Sequence, residues 1–189
     1  MRKRYPTKHL TVKPAYILKF ACLFIALTAI QLLPAVVSSA HAAKPELLST
    51  HKDWSAYTFE ENGNKICYMA STPRKAEGDY SKRGEIYALI THRPAENTEN
   101  VFSYIAGYDY KANSDVKLKI GKKEFTLFTQ DDTAWAPDSE TDKELSEAIR
   151  KGARIIVSGT SSRGTKTKDT FSLSGSNAAY KAISKACGL

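Results

Sequence analysis

The sequence predicts a mostly β, antiparallel sandwich or barrel that carries two short helices. Three observations predict it. About eight runs rich in β-branched and aromatic residues recur at regular spacing. Gly, Asn, Asp and Pro stand between them, and no helix separates one strand from the next until late in the chain.

The first forty residues are of another kind. Arg2, Lys3, Arg4, Lys8, Lys13 and Lys19 precede an apolar run from Phe20 to Val37, and Ser38-Ser39-Ala40-His41-Ala42 follows, with small residues where a signal peptidase reads. This is the pattern of a secretory signal over residues 1–42. The alternative is an uncleaved anchor, since the run approaches the ~20 apolar residues that span a bilayer. Pro34, Gln31 and the Ala40/Ala42 pair favour cleavage, which leaves no stable membrane span. Cys22 lies inside the apolar run, the wrong place for a lipid-anchored cysteine.

Removing that segment changes the electrostatics. The whole chain of 189 residues has 28 basic and 20 acidic residues and a formal charge of +8. Six of the basic residues and none of the acidic ones lie before residue 43, so the remainder carries +2. A nearly neutral domain offers no electrostatic footprint for nucleic acid. The remaining chain is long enough for one domain with its own core, read as a leader over 43–52 and a β domain over 53–189. It holds two cysteines, Cys67 and Cys187. An exported chain with an even pair points to a disulfide. Two buried free thiols, or a metal pair, are the alternatives, and the latter lacks a matching histidine cluster.

Along the domain, Trp54, Ala56 and Thr58 lead to the turn Asn62-Gly63-Asn64, and Ile66–Ser71 returns as the partner strand of a hairpin. Residues 73–84 read as a polar loop, Glu85–Thr91 as a strand stopped by Pro94, and Val101–Tyr108 as another strand. Val116–Ile120 alternates with Lys117 and Lys119, and Gly121-Lys122 turns the chain into Glu124–Thr129. Asp131-Asp132 begins a bend. Thr141 and Glu144 have the spacing of a capping box for a helix over 142–151, with Gly152 as its left-handed stop. Ala153–Ser158 and Asp169–Ser174 form a second hairpin around a basic, hydroxyl-rich loop. Ser176 or Asn177 then caps a helix whose apolar side is Ala179, Ala182, Ile183 and Ala186.

Catalytic signatures are scarce. Gly159-Thr160-Ser161-Ser162-Arg163-Gly164 is not G-x-S-x-G and sits in a hairpin, so it reads as a hydrogen-bonding turn. Gly164-Thr165-Lys166-Thr167 lacks both the glycine spacing and the following helix of a phosphate loop. Asp131-Asp132 lacks the further oxygens that a divalent cation requires, so no metal or other cofactor is expected. His92, before Arg93-Pro94, could bind an anion or serve a hydrolase, but a strand-end histidine is more often structural. The aromatics Tyr57, Tyr68, Tyr80, Tyr87, Phe102, Tyr104, Tyr108 and Tyr110 read by default as core, with a contact face for a protein or glycan as the alternative. The three cations Arg163, Lys166 and Lys168 make a candidate binding loop, or else a solvated hairpin tip.

Read together and in order, these residues resemble the invasion-associated locus B family of exported bacterial proteins. The resemblance rests on Trp54, Cys67, Thr91-His92-Arg93-Pro94, Gly107-Tyr108, Ala134-Trp135, the helix end at Ala148 to Gly152, Gly159 to Thr165, Asp169 to Gly175, and Cys187. Many members carry a further cysteine soon after the first tryptophan, where this chain has Tyr57. The resemblance implies an antiparallel, immunoglobulin-like β-sandwich with two short helices, in the periplasm or medium of a Gram-negative bacterium, and it transfers no catalytic residues. The expected function is non-enzymatic binding of a protein or envelope component, with Cys67–Cys187 tying the terminal helix to the sheet. The alternative is a periplasmic hydrolase or small-ligand-binding protein.

Overall fold

The computed structural model describes residues 44–189; the signal segment expected over 1–42 lies outside the described residues. Eleven strands form one continuous antiparallel sheet: β1 (Glu46–His51), β2 (Trp54–Glu61), β3 (Asn64–Ser71), β4 (Lys75–Gly78), β5 (Tyr87–Arg93), β6 (Thr98–Ile105), β7 (Val116–Ile120), β8 (Lys123–Gln130), β9 (Thr133–Trp135), β10 (Arg154–Thr160) and β11 (Lys166–Ser172). Their spatial order is β1-β2-β3-β5-β6-β9-β8-β7-β10-β11-β4. The helices are α1 (Ser139–Lys151) and α2 (Ser176–Ala186). The sheet folds back on itself through β8, which pairs with both β7 and β9, so that β2 and β6 face β11. Across this layer gap Trp54 Nε1 donates to the Ser172 carbonyl at 2.9 Å. Tyr104 and Phe171 meet edge to face at 6.1 Å. The layered antiparallel packing is that of a sandwich, while the connectivity is largely a meander.

Local chemistry explains most boundaries. Asn62 and Gly63 both have positive φ (53° and 77°), the turn that matches strand twist in a two-residue hairpin, and β2 and β3 leave it in register. Along β7, Val116, Leu118 and Ile120 point inward while Lys117 and Lys119 face water. Trp54, Met69, Ile90, Phe102, Leu118, Leu127, Ile155 and Phe171 belong to one buried cluster. Each such side chain contributes roughly 1.5–3 kcal/mol relative to exposure.

Three strands depart from the sequence reading, the first of them β9, which follows directly on the bend read at Asp131-Asp132. The supposed leader holds β1, which pairs with β2 around a bulge between Leu47 and Ser49. It is an edge strand with most residues exposed, so it shows no apolar alternation to read. The polar loop at 73–84 likewise holds β4, a four-residue edge strand on β11.

The helix ends also differ. Asp138, not Thr141, caps α1, accepting from the Thr141 N–H at 2.7 Å. Gly152 follows α1 in an extended conformation rather than a left-handed one. Glycine stands there for space, since a Cβ would lie 2.7 Å from Ile120 Cγ2 and 2.8 Å from Leu173 Cδ1. Gly175 occupies the N-cap of α2, not Ser176 or Asn177. Those two side chains serve α1 instead: Ser176 Oγ donates to the Ile149 carbonyl at 2.8 Å, and Asn177 Oδ1 accepts from Arg150 Nε at 3.3 Å. One of the orphan carbonyls at the end of α1 is satisfied in this way.

α1 also completes the sheet. β9 pairs with β6 only at Ser103–Ile105, and at Phe102 the backbone N–H donates instead to Asp142 Oδ1 at 2.8 Å. Burial pushes the Asp142 carboxyl up to about 6, with the Phe102 hydrogen bond opposing and Asp138 assisting. A proton held more tightly in the folded state stabilises the fold below about pH 4, and that contribution is lost as the pH rises through 6. Asp142→Asn keeps an acceptor for Phe102 and removes this dependence. Urea midpoints at pH 5 and pH 8 are expected to show the variant gaining on the parent by about 1–1.5 kcal/mol between the two; an equal gap at both values refutes this.

The α2 end is fastened by the Cys67–Cys187 disulfide, which spans 120 positions with the Cα atoms 6.0 Å apart. Chain-entropy accounting gives such a loop about 4–5 kcal/mol. Replacing both cysteines with alanine is expected to lower unfolding free energy by 2–5 kcal/mol. Identical denaturation curves with and without reductant would contradict the assignment.

Candidate functional site

β11 runs Lys166-Thr167-Lys168-Asp169-Thr170-Phe171, and its alternation turns Thr167, Asp169 and Phe171 inward. A fully buried carboxylate requires a cation and hydrogen bonds. Arg83 supplies them from the segment after β4: Nη1 donates to Asp169 Oδ1 at 2.8 Å and Nη2 to Oδ2 at 2.6 Å. Only 4% of the Arg83 side chain is exposed. Its Nε donates to the Ala106 carbonyl at 2.7 Å, and Nη2 reaches the Tyr104 hydroxyl at 3.1 Å. The Tyr104 hydroxyl in turn donates to Asp169 Oδ2. Burial first, then the charge of Asp169, raises the Tyr104 hydroxyl far above its ordinary range, so it stays a donor.

This bidentate pair holds three strangers in sequence together: the 79–84 segment, the end of β6 and β11. The guanidinium also lies over the rings of Tyr108 (4.9 Å) and Tyr80 (5.4 Å). Gly84 N–H donates to the Gly107 carbonyl at 2.8 Å. At Gly107 (φ +71°) a Cβ would sit 2.5 Å from the Gly84 carbonyl oxygen, so only glycine permits the approach. The Tyr108 hydroxyl meets Thr167 Oγ1 at 2.6 Å.

The tip of the β10–β11 hairpin closes the other side. Ser161 N–H donates to the Thr165 carbonyl at 2.9 Å, Gly164 N–H to the Ser161 carbonyl at 2.8 Å, and Ser162 N–H to the Asp109 carbonyl at 2.7 Å. Between these parts lies a cleft of about 750 Å³, lined by Asp79 to Gly84, Gly107 to Asp109, and hairpin residues from Ser161 to Thr167. Its rim carries exposed Asp79, Lys82, Asp109 and Arg163, none of which forms an ion pair among the described residues.

The structure separates the three candidate cations. Arg163 stands at the hairpin tip beside the cleft. Lys166 and Lys168 are not loop residues: they lie on β11, pair with Thr160 and Ser158 of β10, and face solvent. There they line a shallower groove with Lys117 and Asp115. Lys168 Nζ is 3.7 Å from Glu77 Oε2. The sequence reading ended the strands too early because lysine and threonine alternation resembles a solvated tip.

His92 is fully buried, away from the cleft. Nδ1 accepts from the Asn100 N–H at 3.1 Å, which leaves Nε2–H to donate to Ser184 Oγ at 3.3 Å. Burial lowers its pKa and keeps it neutral. Asn100 Oδ1 accepts from Tyr180 (2.6 Å) and Ser146 (3.2 Å), so this network binds β5 and β6 to both helices. Of the eight aromatics, Phe102, Tyr104 and Tyr110 are core, and Tyr80 and Tyr108 line the cleft. Tyr57, Tyr68 and Tyr87 are half-buried, Tyr57 and Tyr68 stacked at 5.0 Å. Among the described residues no group of three or more His, Cys, Asp or Glu converges as for a metal ion.

These features define a disulfide-tied antiparallel β domain with a polar cleft at one end of its sheet. The chain belongs to the invasion associated locus B (IalB) protein family, whose profile matches residues 54–184. Its fold is similar to the crystal structure of invasion associated protein B from Bartonella henselae, with a TM-score of 0.51 at 15% identity, covering 76% of this chain and 97% of that one. No curated protein sequence matches the chain. No helix among the described residues is long and apolar enough to cross a membrane.

Sequence pattern contained half of the Arg83–Asp169 site. An Asp two residues from Phe171 on the same strand face announces a buried charge; nothing local says that its partner lies 86 positions away. Arg83→Met strands the carboxylate and is expected to cost about 3–5 kcal/mol in urea unfolding, while Arg83→Met with Asp169→Leu recovers most of it. A single-variant cost below about 1 kcal/mol contradicts a structural role for the pair.

Proposed function

We propose that this is an exported, non-enzymatic protein of the bacterial cell envelope that binds a protein or envelope component through the cleft end of its sheet. The observation that carries the reading is the rim itself. Four exposed charges of both signs stand around a floor locked by a buried bidentate ion pair. Charges left without partners on a rigid frame are suited to recognition. Export is supported by the basic, apolar and small-residue pattern of residues 1–42 and by the disulfide, which persists in oxidising compartments. The periplasm or medium of a Gram-negative cell fits both, and the family's association with invasion is extended to this chain as setting only. A hydrolase built on His92 has no support from its geometry, since both ring nitrogens are engaged in a dry interior.

Amine cross-linking in living cells, followed by identification of linked peptides, tests the reading. One recurrent partner is expected, with links at Lys82 and Lys166. Arg163→Ala combined with Lys166→Ala and Lys168→Ala is expected to leave the melting temperature within a few degrees and to reduce capture several-fold. Unchanged capture removes the hairpin from the binding surface.

A further inference from the structure

The cleft also indicates what kind of molecule it takes. We infer that it is a saccharide-binding site, whose ligand is an oligosaccharide held by the Asp79/Asp109 carboxylates, the Lys82/Arg163 cations and the ring of Tyr80. This inference rests on the binding reading above and narrows its target to a glycan.

The argument is one of chemical matching. The cleft's volume, about 750 Å³, falls in the range of small-ligand sites, roughly 300–1,000 Å³. Its lining supplies acceptors in two carboxylates, donors in Lys82 and Arg163, and hydroxyls that do both in Ser162 and Thr165. A free phosphate or polyanion is poorly served, because Asp79 and Asp109 stand among the cations and no helix N-terminus faces the cleft. An apolar ligand is poorly served as well: Tyr80 and Tyr108 are the only large apolar side-chain surfaces in the lining, and both carry hydroxyls. A polyhydroxylated ring answers each feature. Neighbouring hydroxyls donate to a carboxylate and accept from a guanidinium, and the C–H face of the ring packs on an aromatic side chain.

The frame is already built. The Arg83 guanidinium fixes Tyr80 and Tyr108 through cation–π contacts, at 5.4 and 4.9 Å. Thr165 Oγ1 donates to the Asp79 carbonyl at 3.4 Å, joining the two lips. The backbone of both lips and the two rings need little ordering on binding, so the cost that remains is fixing the exposed Lys82 and Arg163 side chains.

The test uses the protein in the form that cells make. A glycan array spanning neutral, amino-sugar and acidic types is screened first. Titrations then follow amide resonances with the best neutral and best acidic oligosaccharide, and with inorganic phosphate as the anion control. At least one saccharide is expected to bind and to shift Gly84, Gly107 and Ser162. Asp109→Asn and Arg163→Ala, both at exposed positions, are each expected to weaken it about tenfold. Raising salt to about 0.5 M is expected to change affinity less than about threefold.

Absence of binding across the array overturns the inference, as does saccharide binding unaffected by both variants. Competition by phosphate, or loss of binding in salt, overturns it in favour of an anion site. If a cross-linked protein partner still maps to the cleft while no glycan binds, the binding reading stands and only the ligand class falls.

Discussion

The Arg83–Asp169 ion pair is the constraint on which the rest of this domain's cleft end depends. Asp169 is fully buried on an inward-facing strand position, where an unpaired carboxylate is prohibitive. Satisfying it requires a long side chain from outside the sheet, and that requirement draws the 79–84 segment across the layer gap. Once the segment is drawn in, Gly84 and Gly107 touch backbone to backbone, and Tyr80 and Tyr108 rest on the guanidinium. The cleft is therefore a by-product of neutralising one buried charge. An apolar pair of equal volume could hold the layers as well, but it would not make four hydrogen bonds to fixed acceptors.

A second polar node organises the opposite end. The register of β5 and β6 shifts between Thr91 and Arg93, and Asn100 adopts positive φ (65°) opposite the shift. That distortion brings the Asn100 amide and the His92 ring to the two helices, where Ser146, Tyr180 and Ser184 complete them. With Asp142 replacing a strand partner for Phe102, α1 and α2 become extensions of the hydrogen-bonding pattern of the sheet rather than mere covers on it. Cleft-lining groups at one end and helix-anchoring groups at the other thus occupy separate regions of one core.

How much of this was legible in the sequence follows from where the information is local. Strands with one buried face, such as β7 and β8, announce themselves by alternation, and the Asn-Gly hairpin by its turn chemistry. β1 and β4 do not, because edge strands exposed on both faces carry no apolar period. The disulfide was legible from the cysteine count together with the signal pattern expected over residues 1–42. Capping was half legible: acceptors of the right kind were visible near both helices, but the competition among Asp138, Thr141, Ser176 and Asn177 is settled by which helix end lies within reach. The cleft was hardest of all. Arg163 lay within an evident loop, yet Tyr80, Lys82, Asp79 and Asp109 acquire meaning only through a contact between distant segments.

The position of Cys187 has a consequence in time rather than in space. A polypeptide emerges from the ribosome with its N-terminal part first. Cys67 sits on the third strand, and its partner follows every strand and both helices in chain order. The cross-link therefore cannot guide the early pairing of β2 with β3 and β5. It can close only when the whole sheet has emerged and α2 has docked, so covalent locking works as a last step that ratifies a finished fold.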